Sequence, residues 1–300
     1  MDNKKQANYN RETCRDIVFL FVLFWTTRVQ YTIDISKFYD DKLQKRNKRF
    51  GNTLKIHYLC ATLIIINMRI VSWNCNNKFR EKYKEVLALK ADVYVIAECE
   101  DPAQCEDVRY RELMRNGFWV GELPYKGLAV FSTSPDIRLE KLDWPGKDKK
   151  LFLPVRINDA VTLVGVWTFK PYCEVFSDYL TDIEMMLDEP SLIMMGDFNS
   201  NVMFDKMHRK GKTWGACLDR LSPLGFVDAY HYMKKEEQGR ESTPTFFLYR
   251  HLDRPYHLDH CLTRPENIKD FKVDTLYKWL NFSDHLPIVL DVEDPLGPPA

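Results

Sequence analysis

The sequence lacks paired cysteine motifs, long hydrophobic runs and net charge. Its eight cysteines form no Cys-x-x-Cys pair and its seven histidines no His-Glu-x-x-His motif, so two common zinc patterns are absent. The apolar run at 17–25 has nine residues, whereas a membrane-spanning helix needs about 20. The net charge is zero, so the chain as a whole lacks the excess of basic residues that is usual in proteins that bind duplex nucleic acid. These absences favour a globular, cytoplasmic protein with reduced cysteines.

The first 67 residues differ in charge from the rest of the chain. They carry 12 Lys and Arg against 6 Asp and Glu, and the remaining residues carry 31 against 37. Acidic residues precede the apolar run at 17–25 and no small-residue cleavage site follows it, unlike a signal peptide. We interpret 1–67 as an extension outside the fold, with Met68 as the natural start, and 294–300 as a C-terminal tail. A membrane-surface anchor through residues 17–25 is the alternative.

The most informative motif is Gly196-Asp197-Phe198-Asn199, which follows the apolar run at 191–195. An apolar run of this length that ends at glycine is typical of a buried strand stopped by a turn. The strand then delivers an aspartate and an asparagine at its carboxyl end. Because both side chains also cap turns, this motif alone does not distinguish a turn from a functional site.

Four further segments carry polar residues at the ends of strand patterns. In the first, two asparagines stand two residues apart, and on a strand such residues face the same side. The second segment ends in a carboxylate, the third contains an aspartate, and the fourth places an acid–histidine pair before an apolar strand. In chain order they are Asn74 and Asn76 at the end of 68–76, Glu98 at the end of 92–98, Asp259 within 256–262, and Asp284-His285 before 286–290.

Together these motifs resemble the endonuclease/exonuclease/phosphatase family, which holds deoxyribonucleases, abasic-site endonucleases, neutral sphingomyelinases and inositol polyphosphate 5-phosphatases. The resemblance covers residues 68–293. It implies an α/β fold, a four-layer sandwich in which two packed mixed β-sheets are flanked by helices. Strand patterns that outnumber two amphipathic helical stripes agree with that fold. The motifs that carry the resemblance are Trp73-Asn74-x-Asn76, Glu98, Gly196-Asp197-Phe198-Asn199, Leu258-Asp259 and Ser283-Asp284-His285.

A divalent cation is the cofactor that the resemblance implies, Mg²⁺ or Mn²⁺. Mg²⁺ takes oxygen ligands and binds through one or two carboxylates plus water and substrate phosphate. Glu98 is the candidate carboxylate, with Asn76 and Asp284 completing or orienting the site. Solvation of Glu98 beyond its strand and a simple turn at Asp284 are the alternatives.

The remaining motif residues suit the attack of water on a phosphoester. Asp197 is the candidate general base and Asn199 its orienting partner. His285 can donate to a phosphate oxygen while Asp259 fixes its ring. Asn74 matches the family's asparagine that helps position the phosphate and the catalytic acid. Zinc at the histidines around Asp259 is disfavoured by the missing ligand spacings.

One position departs from the family pattern. Where members carry a histidine or tyrosine near the phosphate, this chain has Trp167, whose indole donates one hydrogen bond and exchanges no proton near neutrality. Trp167 is interpreted either as core packing or as a ring that stacks on substrate, and Tyr172 as a replacement leaving-group acid.

A basic loop at 206–212 lies downstream of the Asp197 motif. Arg209 and Lys210 in this loop are candidates for binding a phosphate; the alternative is a solvated surface loop.

The sequence therefore predicts a divalent-metal-dependent phosphoester hydrolase, a nuclease or phosphodiesterase in which Asp197 activates the attacking water. The substrate is nucleic acid or a small-molecule or lipid headgroup phosphoester, and the protein is expected to be a monomer with no protein partner. The alternative is a non-catalytic module on the same fold that binds an anionic ligand; Trp167 is the feature that favours it.

Overall fold

The computed structural model describes residues 68–149, 151–275 and 277–293. The extension 1–67, its anchor at 17–25 and the tail 294–300 lie outside the described residues, so those boundaries remain predictions. Within the described ranges, no helix combines the length and apolar character needed to cross a bilayer.

Fourteen strands and five α-helices make up the described chain. The strands are β1 (Met68–Asn74), β2 (Val93–Cys99), β3 (Gly117–Leu123), β4 (Lys126–Phe131), β5 (Leu139–Lys141), β6 (Phe152–Ile157), β7 (Val161–Trp167), β8 (Leu192–Asp197), β9 (Val227–Asp228), β10 (Phe246–Phe247), β11 (Pro255–Tyr256), β12 (Asp259–Thr263), β13 (Ile268–Val273) and β14 (Ile288–Val292). The helices are α1 (Phe79–Leu87), α2 (Val108–Leu113), α3 (Cys173–Asp182), α4 (Trp214–Leu221) and α5 (Ala229–Lys234).

Twelve strands form two six-stranded mixed sheets. The first has the order β13-β14-β1-β2-β4-β3 and the second β5-β6-β7-β8-β12-β9, while β10 and β11 form a separate hairpin. The parallel pairs are β1 with β2 and β7 with β8. Each parallel pair ends its two strands at the same edge of its sheet, so side chains at those ends can converge.

The two sheets pack face to face through their apolar sides. Val95 and Val130 of the first sheet belong to one buried core with Leu163 and Ile193 of the second. Gly165 on β7 permits the approach, because a Cβ there would lie 2.8 Å from Cγ2 of Val130. Close packing of this kind fixes the two sheets relative to each other, and with them the side chains at the strand ends.

Helices cover the outer faces. Phe79 of α1 and Tyr110 of α2 pack against the first sheet in the same core as Trp73. A second core lies on the other side of the second sheet, where Phe176 of α3 packs against Trp214 of α4. The α/β sandwich that the sequence predicts is confirmed.

The strands nearest the motifs agree with prediction to within a few residues, and the differences lie elsewhere. The pattern at 244–250 predicts a strand, but only β10 forms there and a 3₁₀ turn follows at Leu248–Arg250. Residues 201–243, which look like a polar insertion, contain α4, β9 and α5. The six cysteines in the described ranges form no disulfide, and Cys14 and Cys60 lie outside those ranges.

Candidate active site

The motif residues converge at one edge of the paired sheets. Asn74 is the last residue of β1 and Asp197 the last of β8. Asp259 opens β12 directly opposite Asp197 in the antiparallel register. His285 joins them from the segment before β14, where it pairs with Phe246 of β10. Four distant parts of the chain therefore meet at one buried point.

Asp197 is buried and held by two asparagines. Its Oδ2 accepts hydrogen bonds from Nδ2 of Asn74 and Nδ2 of Asn199, both at 2.9 Å. Its Oδ1 accepts the backbone N–H of Asn199 at 2.8 Å. Asn199 has a left-handed backbone, with φ 47°, and its Nδ2 also donates to the carbonyl of Thr168. The carboxylate is thus fixed in orientation by the residue types predicted to hold it.

His285 lies between two carboxylates. Nδ1 of His285 donates to Oδ2 of Asp259 at 2.8 Å, and its Nε2 is 3.9 Å from Oδ2 of Asp197. Asp259 is itself anchored, since its backbone N–H donates to the buried hydroxyl of Thr245. The hydrogen bond to Asp259 therefore holds the ring in one orientation, with Nε2 directed to the region of Asp197.

Burial and neighbouring charge set the protonation of this group. Burial raises the pKa of Asp197 to about 7, with the charge of Asp259 adding to it and the charge of His285 and the amide of Asn74 opposing it. Burial alone would lower the pKa of His285, but the charges of Asp259 and Asp197 outweigh it and raise that pKa to about 10. At neutral pH the site therefore contains an imidazolium beside a carboxyl group able to accept a proton.

Glu98 is aimed by a β-bulge. On β2, Ala97 pairs with Leu128 and Cys99 pairs with Gly127, so Glu98 has no partner on β4. Its backbone is left-handed, with φ 61°. Bulges redirect side chains and occur often beside active sites, and an uncommon backbone conformation is retained where the surroundings enforce it. The side chain of Glu98 is consequently redirected and accepts from Nδ2 of Asn74 at 3.3 Å.

Asn76 and Asp284 lie next to each other in the same region. Nδ2 of Asn76 donates to Oδ1 of Asp284 at 3.0 Å. Asn77 bridges to Glu98, because its Nδ2 is 3.3 Å from Oδ1 of Asn76 and 3.4 Å from Oε2 of Glu98. The donor set is made of carboxylate and amide oxygens, which suits a hard divalent cation such as Mg²⁺ or Mn²⁺.

A second grouping within the described ranges also has metal-ligand side chains. The ligand atoms of Asp197, Asp259 and His285 all lie within 4.8 Å of one another. Nδ1 of His285 already donates to Asp259, and Oδ2 of Asp197 already accepts from two amides. This hydrogen-bonded arrangement suits proton handling.

Lys82 on α1 ties together the two loops that carry the oxygen donors. Its Nζ donates to the carbonyls of Cys75 at 2.7 Å, Asn76 at 3.1 Å and Phe282 at 2.6 Å. Desolvation lowers the pKa of this ammonium. One ammonium therefore fills all three of its donor positions with backbone acceptors from both loops.

Replacing Lys82 by methionine is expected to lower the free energy of unfolding by about 2–4 kcal/mol, because up to three part-buried carbonyls lose a charged donor. Urea denaturation of the full chain measures it. Lys84→Met, on the exposed face of the same helix, is the control and should change stability by less than about 0.5 kcal/mol. Equal effects from the two variants would show that Lys82 does not hold the loops.

The four substrate-binding candidates differ in their burial and in whether their contacts reach the site. Trp167 is 7% exposed and pairs with Asp197 in the β7–β8 register, so it is core-packed but adjacent to the site. Tyr172 packs against His208, and none of its described contacts reaches Asp197 or His285. Arg209 forms an ion pair with Glu174 of α3, which offsets its charge. Lys210 is exposed in the same loop.

Sequence reasoning missed four residues that shape the site. Two of them, Asn77 and Lys82, follow the Asn74-x-Asn76 motif closely in the sequence, and that proximity is the signal that indicates them. The others act across long sequence separations that no local pattern shows. They are Lys126, whose Nζ is 3.0 Å from Oε2 of Glu98, and Thr245, whose hydroxyl accepts from the backbone N–H of Asp259.

Comparison with known proteins finds the fold but no sequence relative. No protein-family model matches the chain, and no curated protein matches it. Among solved structures, a 3′-5′ exonuclease from Neisseria meningitidis is similar, with TM-score 0.57 and 19% identity over 75% of this chain and 100% of that one. A 3′ phosphatase from Neisseria bound to product DNA hairpin matches with TM-score 0.56 and 19% identity over 75% and 99% of the two chains.

An AP endonuclease from Archaeoglobus fulgidus is similar to the same degree. Its TM-score is 0.56 and its identity 18%, over 74% of this chain and 98% of that one. The described chain therefore has the fold of these solved nuclease and phosphatase structures, which is the fold that its motifs predict.

Proposed function

We propose that this chain is a divalent-metal-dependent phosphoester hydrolase that cleaves a phosphodiester of nucleic acid by direct attack of water. The observation that carries the proposal is the pairing of two sets of side chains at one strand edge. Asp197 with its asparagines and the Asp259–His285 pair form one set, and the oxygens of Asn76, Glu98 and Asp284 form the other.

In this mechanism Asp197 takes the proton of the attacking water. The pKa of about 7 suits a base at neutral pH, and the amide of Asn199 keeps the carboxylate in one orientation. A new P–O bond forms to the water oxygen, the ester P–O bond breaks, and the leaving oxygen departs as an alkoxide that takes a proton from solvent water, while Asp197 returns to solvent the proton it accepted. Nε2 of His285, protonated at neutral pH, donates to a non-bridging oxygen as that oxygen gains charge.

Glu98, Asn76 and Asp284 would hold the divalent cation, which supplies positive charge against the phosphoryl oxygens. Asn74 links the two sets, because its Nδ2 donates to both Asp197 and Glu98. A displacement of either carboxylate would therefore be transmitted to the other. Positioning of this kind accounts for much of the rate enhancement in phosphoryl transfer.

Nucleic acid is the substrate class favoured by the surface beside His285. The hairpin β10–β11 starts at Phe246, which pairs with His285, and presents Tyr249 and Leu252 with 74% and 61% exposure. Arg250 stands next to Tyr249 on the same hairpin. Exposed aromatic and basic side chains beside a phosphoester site suit the bases and backbone of a nucleic acid strand. One similar structure is described as bound to product DNA hairpin.

Hydrolysis assays of the full chain test the proposal. Single- and double-stranded DNA and a chromogenic phosphodiester are incubated with Mg²⁺, with Mn²⁺ and with EDTA. We expect DNA cleavage that requires the metal and stops in EDTA. Turnover of the small diester without cleavage of DNA would move the substrate to a small-molecule or lipid phosphodiester. A folded, metal-binding protein that cleaves none of them would favour the non-catalytic binding module.

A further inference from the structure

Lys126 contacts the carboxylate proposed to hold the metal. Its Nζ lies 3.0 Å from Oε2 of Glu98, and the two side chains are 34% and 17% exposed. Lys126 is the first residue of β4, next to Gly127. Gly127 pairs with Cys99 beside the bulge that redirects the side chain of Glu98. The backbone that aims Glu98 therefore also brings the ammonium to it.

The same ammonium also contacts Trp167, on the side of the site where Asp197 lies. Nζ of Lys126 is 5.5 Å from the ring centroid of Trp167, within the range of a cation–π interaction. Trp167 pairs with Asp197 in the β7–β8 register. Lys126 consequently contacts both Glu98, a proposed metal ligand, and Trp167, the strand partner of Asp197. Both residues are far from Lys126 in the sequence.

An ammonium and a divalent cation compete for Glu98. Both oxygens of the carboxylate already have donors, Asn74 on Oε1 and Asn77 with Lys126 on Oε2. A cation bound at Oε2 would repel the ammonium at short range. The lysine stem is flexible and carries a strongly hydrated charge, so Lys126 can leave Glu98 for an anion in the cleft.

We propose that Lys126 is a phosphate-binding residue that pairs with Glu98 in the metal-free protein and moves to a phosphoryl oxygen when the metal binds. The inference rests on the proposed function, because it takes Glu98 as a metal ligand. Lys126 would then supply positive charge on the Trp167 side of the site, where the indole offers one hydrogen-bond donor and no charge.

Isothermal titration of Mn²⁺ alone into the full-length wild type and Lys126→Met tests the competition. Removing a partly exposed competitor ion pair should tighten Mn²⁺ binding about three- to tenfold. Lys126→Arg, which keeps the charge, should bind Mn²⁺ like the wild type. Lys84→Met controls for the loss of one positive charge elsewhere on the surface. Unchanged or weaker binding in Lys126→Met would overturn the proposed pairing.

The phosphate contact is tested with inorganic phosphate at saturating Mn²⁺, which requires no turnover. Lys126→Met should bind phosphate at least about tenfold more weakly, since a charged hydrogen bond is lost, and Lys126→Arg should recover most of the affinity. Equal phosphate affinity in wild type and Lys126→Met would overturn the phosphate role.

These results separate the two proposals. Hydrolysis of DNA by the wild type with no effect of Lys126→Met on either titration refutes the role of Lys126 alone. Both titration effects without hydrolysis refute the proposed function alone. A wild type that binds no Mn²⁺ refutes both.

Discussion

Asp197→Asn is expected to lower kcat/KM for DNA cleavage by at least about 10³-fold, because the variant keeps the shape of the side chain and loses the base. The fold should survive. The new amide would place an NH₂ group against Asn74 or Asn199, which costs about 1–3 kcal/mol. Removing a buried carboxylate whose pKa is raised to about 7 offsets part of that cost. Steady-state kinetics with thermal denaturation measure both effects.

Asp291→Asn is the matched control for this substitution. Asp291 lies on β14, where it accepts from Nε of Arg69 at 2.6 Å in a partly exposed pair. The same chemical change there should leave kcat/KM within about twofold and alter stability by less than about 1 kcal/mol. If Asp197→Asn retained more than about a tenth of the wild-type kcat/KM, another residue would have to be the base.

The sequence predicts most of the candidate site because its residues stand at the ends of buried strands. Asp197 and Asp259 converge through the pairing of β8 with β12, and Asn74 reaches them because the two sheets pack face to face. An apolar run followed by a polar residue indicates each of these strands and its end. The two-residue spacing of Asn74 and Asn76 predicts convergence on a flat strand. In the structure Asn76 has already left β1 with a positive φ, so the convergence occurs by a different backbone path.

What the sequence does not show depends on tertiary pairing. The direction of Glu98 is set by a bulge against Gly127, and a bulge is a property of two strands together. Gly127 is itself required, since a Cβ there would lie 2.3 Å from the ring of Trp119. Lys126 reaches Glu98 only through this pairing. Such contacts arise from long-range packing and leave no periodic signal in a single sequence.

Helix α4 was missed for a different reason. Trp214, Cys217 and Leu221 are buried at helical spacing, and the Thr213 hydroxyl caps the helix by accepting from the N–H of Ala216. The pattern is present, but it is only eight residues long and follows the basic stretch 206–212. Short helices gain their stability from packing rather than from propensity, so local composition misleads there.

The largest coupled effect is expected for Asp259 and His285. Asp259→Asn and His285→Gln should each lower kcat/KM by about 10²–10³-fold, and the double variant should be little worse than either, because the two residues act as one unit. Each single variant should also lose about 3–5 kcal/mol of stability, since it leaves a buried partner unpaired, and the double variant should recover part of it. Kinetics and urea denaturation across the four proteins give both coupling energies.

The pair formed by Asp228 and His260 provides the matched cycle. Nδ1 of His260 is 2.6 Å from Oδ2 of Asp228, and Nε2 contacts the carbonyl of Ser200, so this buried pair resembles the first. His260 lies on the opposite face of β12 from Asp259, because successive strand residues alternate between faces. Asp228→Asn, His260→Gln and their double variant should therefore couple in stability while the folded protein keeps kcat/KM within about tenfold. Equal catalytic losses in both cycles would mean that His285 serves the fold alone and that another group stabilises the phosphoryl oxygens. Coupling in kcat/KM confined to the Asp259–His285 cycle would instead locate transition-state stabilisation at Nε2 of His285, because both pairs contribute to the fold and only that ring faces Asp197.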